Sequence, residues 1–115
     1  MVKDLADRRC APCEGGVAPL DAKDVQDYLG ALNADWQLSE DGLEISRQFK
    51  FPAYSHTLAF ANAVAWIAVS EGHHPDILLS YGRCVVSFTT HAIGGLSDND
   101  FICAAKVDRL QDDSA

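Results

Sequence analysis

The sequence predicts an α+β domain, a four-stranded antiparallel sheet with three helices packed on one face, in the order α-β-β-α-β-β-α. Three observations carry that reading. Helical apolar periodicity followed by a strand pair around a glycine turn occurs twice, at Glu40-Asp41-Gly42 and at Tyr81-Gly82. A third helix-opening signal, Ser97-Asp98-Asn99-Asp100, follows the second pair. The chain has 115 residues, of which 48% are apolar, enough for one core and too few residues for two domains. The expected organisation is an N-terminal arm over 1–18, the domain over 19–111, and a frayed tail over 112–115.

The first helix is expected to start at Asp21. Leu20 and Val25 stand at the two positions of a hydrophobic staple, and Asp24 complements the helix dipole. Val25, Tyr28, Leu29 and Leu32 then recur on one face, and Asn33-Ala34-Asp35 breaks the pattern. Trp36-Gln37-Leu38 alternates as a short strand. Leu43, Ile45, Phe49 and Phe51 share one side of the next strand, with Arg47 as the exception, and Pro52 ends it.

The longest helix is expected over Tyr54 to Glu71. Its apolar stripe is read as Leu58, Ala61, Ala65 and Ala68, widened by Phe60, Val64 and Ile67, with Gly72 as its left-handed C-terminal residue. Asp76 to Ser80 and Arg83 to His91 form the second hairpin, with Cys84, Val86, Phe88 and Thr90 facing one way. Ala92 to Leu96 reads as a flexible link. Ser97 caps the last helix, which is expected to end near Leu110.

Charge narrows the partners. Seventeen acidic against nine basic residues give a net charge of −8, so nucleic acid, which needs a basic footprint, is excluded as a direct partner. The first nine residues carry no apolar signal-peptide core, and the apolar run Leu58 to Val69 is interrupted by Asn62 and too short to span a bilayer. A cytoplasmic protein that does not touch membranes is expected. Cys84 and Cys103 read as small buried hydrophobes. Cys10-Ala11-Pro12-Cys13 has the spacing of half a zinc site or of a redox pair. Nothing nearby supplies two further ligands, which favours a structural or incidental role.

Three of the four histidines bear on chemistry. His73 and His74 follow the long helix, and His91 ends the return strand of the second hairpin, so the hairpin should bring all three to one edge of the sheet. Histidine titrates near physiological pH, which suits acid–base work. A His-His pair could instead complement the helix C-terminus, and three histidines could bind zinc, although adjacent His73 and His74 do not easily point at one ion. His56 reads as a surface residue.

The stretch Glu71-Gly72-His73-His74-Pro75-Asp76, then Tyr81, then Thr89-Thr90-His91-Ala92-Ile93-Gly94-Gly95-Leu96-Ser97-Asp98-Asn99-Asp100-Phe101, resembles the pterin-4a-carbinolamine dehydratase family. The resemblance runs over roughly 10 to 110, because the arm around Cys10-Ala11-Pro12-Cys13 resembles bacterial members. It implies the same sheet and helices, and dimers often paired into tetramers. The implied reaction is loss of water from 4a-hydroxytetrahydropterin to give quinonoid dihydropterin, with no metal or organic cofactor. By the same resemblance His73 acts as general acid/base with His91 as its partner. His74, Pro75 and Asp100 contact the substrate, and an aromatic amino acid hydroxylase is the functional neighbour in tetrahydropterin recycling. Asp100 is read equally well as a helix N-terminal residue.

The chain departs from the family at Val69, where an acidic or polar residue is frequent, at Ile93, where animal members have Cys, and at Asn99, where a basic residue is usual. Glu71 stands too far round the helix to replace Val69 directly. Two other functions compete. Animal relatives stabilise dimers of a homeodomain transcription factor, which would make this an interaction module, and a non-catalytic pterin-binding accessory role is the third reading. The three histidines are unnecessary for the interaction role, so their presence favours catalysis over it.

Overall fold

The structure, a computed structural model, describes residues 2–12 and 17–112. Helix α1 covers Ala22–Leu29, with the Asp21 carboxylate accepting the Asp24 N–H at 2.9 Å as a side-chain cap. Strands β1 (Gln37–Leu38) and β2 (Ile45–Lys50) follow, then α2 (Tyr54–Glu71), β3 (Asp76–Ser80), β4 (Arg83–Phe88) and α3 (Asp98–Asp112). The element order is the expected one. The sheet order is β1-β2-β4-β3, antiparallel throughout, so β4 lies between β2 and β3.

Period-two alternation sorts the two central strands. Ile45, Arg47 and Phe49 stand opposite Phe88, Val86 and Cys84 on the face that meets the helices. Against them pack Phe60 and Val64 of α2 and Phe101, Cys103 and Val107 of α3 in one core cluster. Truncating a fully buried ring such as Phe101 to alanine should cost about 3–5 kcal/mol. The opposite face carries Ser46, Gln48, Val85 and Ser87 and is half-polar.

Arg47, the charged exception among the apolar residues of this parity, stays on the core face. Its side chain points inward, Nη1 donates to Asp108 Oδ1 at 2.6 Å, and the guanidinium lies 4.3 Å from the Phe49 ring centre. Asp108 also accepts the Trp36 indole N–H at 2.8 Å. A charge on the core face is tolerated because α3 supplies a carboxylate and β2 an aromatic ring.

The apolar stripe of α2 is rotated from the expected one. Thr57, Phe60, Ala61, Val64 and Ala68 are buried, whereas Leu58 and Ala65 are exposed. Thr57 explains the rotation, because its hydroxyl donates to the Ala53 carbonyl and to the Tyr81 carbonyl at 2.9 Å, tying the helix start to the β3–β4 turn. Trp66 and Val69 are consequently left 71% and 74% exposed.

Other boundaries moved. α1 ends at Leu29, so Leu32 packs from beyond the helix. β4 stops at Phe88, and His91 opens a 3-10 turn over His91–Ile93. The segment expected to be a flexible link is closed by a bridge between Thr90 and Gly95, with Gly94 at φ 68°. A Cβ on Gly95 would stand 2.8 Å from Pro19, so only glycine fits there. α3 continues past Leu110 to Asp112, and the rest of the predicted frayed tail lies outside the described residues, as does Cys13.

The arm is seated on the domain. A 3-10 turn over Leu5–Asp7 buries Leu5, Lys106 Nζ donates to the Ala6 carbonyl at 2.9 Å, and Arg109 pairs with Asp7 at 2.7 Å.

Candidate active site

The C-terminus of α2 places the first two histidines. Gly72 takes the left-handed conformation, φ 66°, its N–H reaches the Val69 carbonyl at 3.3 Å, and the His73 N–H reaches the Ala68 carbonyl at 3.1 Å. This is the paired bonding of a Schellman cap, and it fixes the His73 backbone to the last turn of the helix. Pro75 then keeps the residue before it extended and feeds the chain into β3. Because β3 pairs with β4 from Asp76↔Ser87, the residues after Phe88 run back beside His73 and His74.

His73, His74 and His91 line one cleft of about 200 Å³, together with Thr90, Asn99 and Ala11 of the arm. A larger depression of about 450 Å³ lies between the arm and α3 and is bordered by no histidine or cysteine. Size alone therefore does not locate the chemistry. Among the described residues no three His, Cys, Asp or Glu side chains are grouped to hold a metal ion.

The three imidazoles are held unequally. His73 is 11% exposed in its side chain, lies nearly parallel to the Phe88 ring at 6.1 Å, and has its Nε2 2.6 Å from Asp100 Oδ1. His74 and His91 are exposed on the cleft. Asp100 is wholly buried behind His73. Its Oδ2 accepts the Thr90 hydroxyl at 2.7 Å and the Ser97 N–H at 3.0 Å, and that hydroxyl also meets Ser97 Oγ at 2.7 Å. The two readings of Asp100 thus combine. It is the third helical residue reaching back to the cap, and the same carboxylate holds an imidazole. Its placement away from the cleft surface does not fit direct contact with a substrate.

The opposite wall belongs to the arm. Asn99 grips the Ala11 backbone through both amide atoms, accepting its N–H at 3.0 Å and donating to its carbonyl at 2.6 Å. Glu71 Oε1 accepts the Cys10 N–H at 2.8 Å, while Oε2 lies 3.2 Å from Arg9 and 3.7 Å from Lys106. Burial resists ionisation of Glu71, but the Cys10 N–H and the Lys106 and Arg9 cations outweigh it and hold the carboxyl below its ordinary value. Neither Asn99 nor Glu71 was placed here by the sequence reading. Both act on the arm, and Val69 is exposed.

Residues 18–110 match the family model described as pterin 4 alpha carbinolamine dehydratase. A Nitrosomonas eutropha protein assigned as a pterin-4-alpha-carbinolamine dehydratase is 57% identical over 93% of either chain. A protein of the same assignment from Legionella pneumophila is 47% identical over 96% of this chain and 97% of its own. Among solved structures, a transcriptional coactivator/pterin dehydratase from Brucella melitensis superposes with a TM-score of 0.75 at 29% identity, covering 80% of this chain and 97% of that one. A pterin dehydratase-like RuBisCO assembly factor of the α-carboxysome shares the fold, with a TM-score of 0.57 at 23% identity over 66% of this chain and 88% of its own. By the family match and these identities, the chain belongs to the pterin-4-alpha-carbinolamine dehydratase family and is a hydro-lyase.

Proposed function

We propose that the enzyme takes water from 4a-hydroxytetrahydropterin by histidine acid–base catalysis in the cleft, as a step of tetrahydropterin recycling. The observation that carries this is the buried Asp100–His73 pair set beside two exposed imidazoles. Elimination requires a proton to leave ring N5 as the C4a–O bond breaks, forming the C4a–N5 double bond. The departing hydroxyl takes a second proton and leaves as water. With Nε2–H donated to Asp100, the His73 ring presents Nδ1 as its basic lone pair. His73 is the base in this scheme, and exposed His91 is the acid that protonates the leaving hydroxyl. His74 holds the pterin, and Pro75 sets the path of the chain between them. Asp100 is a positioning residue for His73 rather than a pterin contact.

These steps leave the oxidation state of the substrate unchanged and need no metal or organic cofactor. A hydroxylase that forms the 4a-hydroxy adduct is the reaction class that supplies the substrate, and the cytoplasm is the proposed location. The test is turnover of the 4a-carbinolamine by purified protein against its spontaneous dehydration; no acceleration would overturn the proposal. If both imidazole roles titrate, kcat/KM will be bell-shaped in pH.

A second role, as a protein-interaction module, is favoured by one observation. Trp66 and Val69 stand exposed on α2, with exposed Leu58 about two turns before Trp66 and three before Val69. We propose that self-association into dimers or tetramers covers this face. Trp66→Glu should lower the mass measured by light scattering while leaving the cleft chemistry intact, and an unchanged mass would refute the assignment of this face.

A further inference from the structure

We infer that Cys10 and Cys103 are a redox-forming disulfide pair that fastens the N-terminal arm to α3 beside the cleft. Their sulfurs lie 3.5 Å apart although 93 positions separate them in sequence. Cys103 is fully buried on α3, one turn beyond Asn99 and Asp100, and Cys10 is half-buried above it. Three further contacts hold Cys10 in place. Its N–H is bound by Glu71, its thiol reaches the Asn99 carbonyl at 3.7 Å, and the next residue is gripped by the Asn99 side chain. The arm therefore presents one sulfur to the other in a constrained approach, and bonding requires them to close by about 1.5 Å.

The two thiols differ in the way a stepwise oxidation needs. The hydrogen bond from Cys103 lowers the pKa of Cys10, outweighing burial and the nearby Glu71 carboxylate. The same pairing, together with burial, pushes Cys103 well above the ordinary thiol range. Cys10 is thus the thiol that meets an oxidant, and Cys103 is the one that resolves it. With hydrogen peroxide as oxidant, the Cys10 thiolate attacks one oxygen, the O–O bond breaks, and the released hydroxide takes up a proton to become water. The Cys103 sulfur then attacks the Cys10 sulfenic acid. The S–S bond forms as the S–O bond breaks, and the hydroxyl leaves as a second water with the Cys103 proton. Two thiols are oxidised and one peroxide is reduced.

Because Ala11 follows Cys10 and lines the cleft, the bond would pin that wall in its seated position. It would also close a loop of nearly the whole domain, which restricts the unfolded chain. The test treats the reduced full-length protein with one equivalent of hydrogen peroxide, in the natural sequence and in Cys13→Ser, Cys10→Ser and Cys103→Ala. Free thiols are counted by maleimide mass shift under denaturing conditions, and cross-linked peptides are mapped without reduction. Both the natural protein and Cys13→Ser should lose two thiols, yield a Cys10–Cys103 peptide, and gain about 5 °C or more in Tm, reversed by dithiothreitol. Cys10→Ser should show neither change even if Cys103→Ala folds poorly. A dominant Cys10–Cys13 bond in the natural protein, or a Cys10 sulfinic acid with Cys103 still a free thiol in Cys13→Ser, would overturn the inference.

Discussion

Asn99 and Asp100 are neighbours on the first turn of α3, yet they hold two different kinds of structure. Asp100 gathers side chains and one N–H from three parts of the domain: His73 after α2, Thr90 after β4, and Ser97 at the helix start. Each of those positions is set by sheet register or a helix cap. Asn99 holds the arm instead, gripping the Ala11 backbone through its side chain and meeting the Cys10 thiol with its carbonyl, and the described residues of that arm form one 3-10 turn. The first network is specific to side-chain identity and is buried; the second reads a peptide group and depends on the arm docking at all. The active-site half should therefore open only when the domain does, and the arm at a lower free energy.

The largest expected effect lies on the Asp100 side. His73→Ala should lower kcat by about 10²–10⁴ with the fold retained, the usual range for a lost acid–base group. His74→Ala should act chiefly on KM. Asp100→Asn keeps the shape of the carboxylate but can place an amide N–H against Nε2, so it should cost kcat at least about tenfold while KM changes little. Asp100→Ala additionally leaves the buried Thr90 hydroxyl and the Ser97 N–H without this acceptor, a loss of about 1–3 kcal/mol in denaturant unfolding. If Asp100→Asn moved KM alone, Asp100 would be a substrate contact and the two sides of α3 would no longer differ in kind.

On the Asn99 side the expected change is in the arm. Asn99→Ala removes both bonds to Ala11 and should cost about 1–2 kcal/mol of arm docking. Hydrogen exchange at the Ala11 amide should speed up while amides of β4 keep their protection. Equal loss of protection in both places would mean that arm and domain open as one unit.

The contrast also separates what was legible in the sequence from what was not. The helix–hairpin order could be read because caps, glycine turns and period-two alternation are local signals, and β3 was bounded correctly at Asp76 and Ser80. The meeting of His73, His74 and His91 followed from hairpin geometry, and the family resemblance supplied the substrate. Arg47 could be read only as an exception, because its partner Asp108 lies 61 residues away on a helix, beyond any local pattern. The stripe of α2 was misread because Thr57, a polar residue, is buried by a bond to the Tyr81 carbonyl. The arm was read as merely polar. The contacts of Glu71, Asn99 and Cys103 with the arm exist only once the chain has folded back over α3.

Glu71 gives the smallest effect and the sharpest test of how the arm is held. Its carboxyl sits below its ordinary value of 4.5, so the folded protein binds fewer protons there than the unfolded chain does. The stabilisation is fully present above that ordinary value, fades as pH falls through it to the lowered folded value, and is absent below both. Glu71→Gln retains an oxygen for the Cys10 N–H but drops the charge facing Lys106 and the exposed Arg9. The cost at neutral pH should be about 0.5–1 kcal/mol. Thermal unfolding of the two proteins from neutral to acid pH should show a gap in Tm that closes across this window, with faster exchange of the Cys10 amide in the variant at neutral pH. A gap that persisted unchanged into acid would mean that the arm is held at Glu71 by shape and the neutral hydrogen bond. Charge at Glu71 would then drop out of the arm's side of the comparison, leaving the Arg109–Asp7 pair as the ion pair that could still hold the arm to α3.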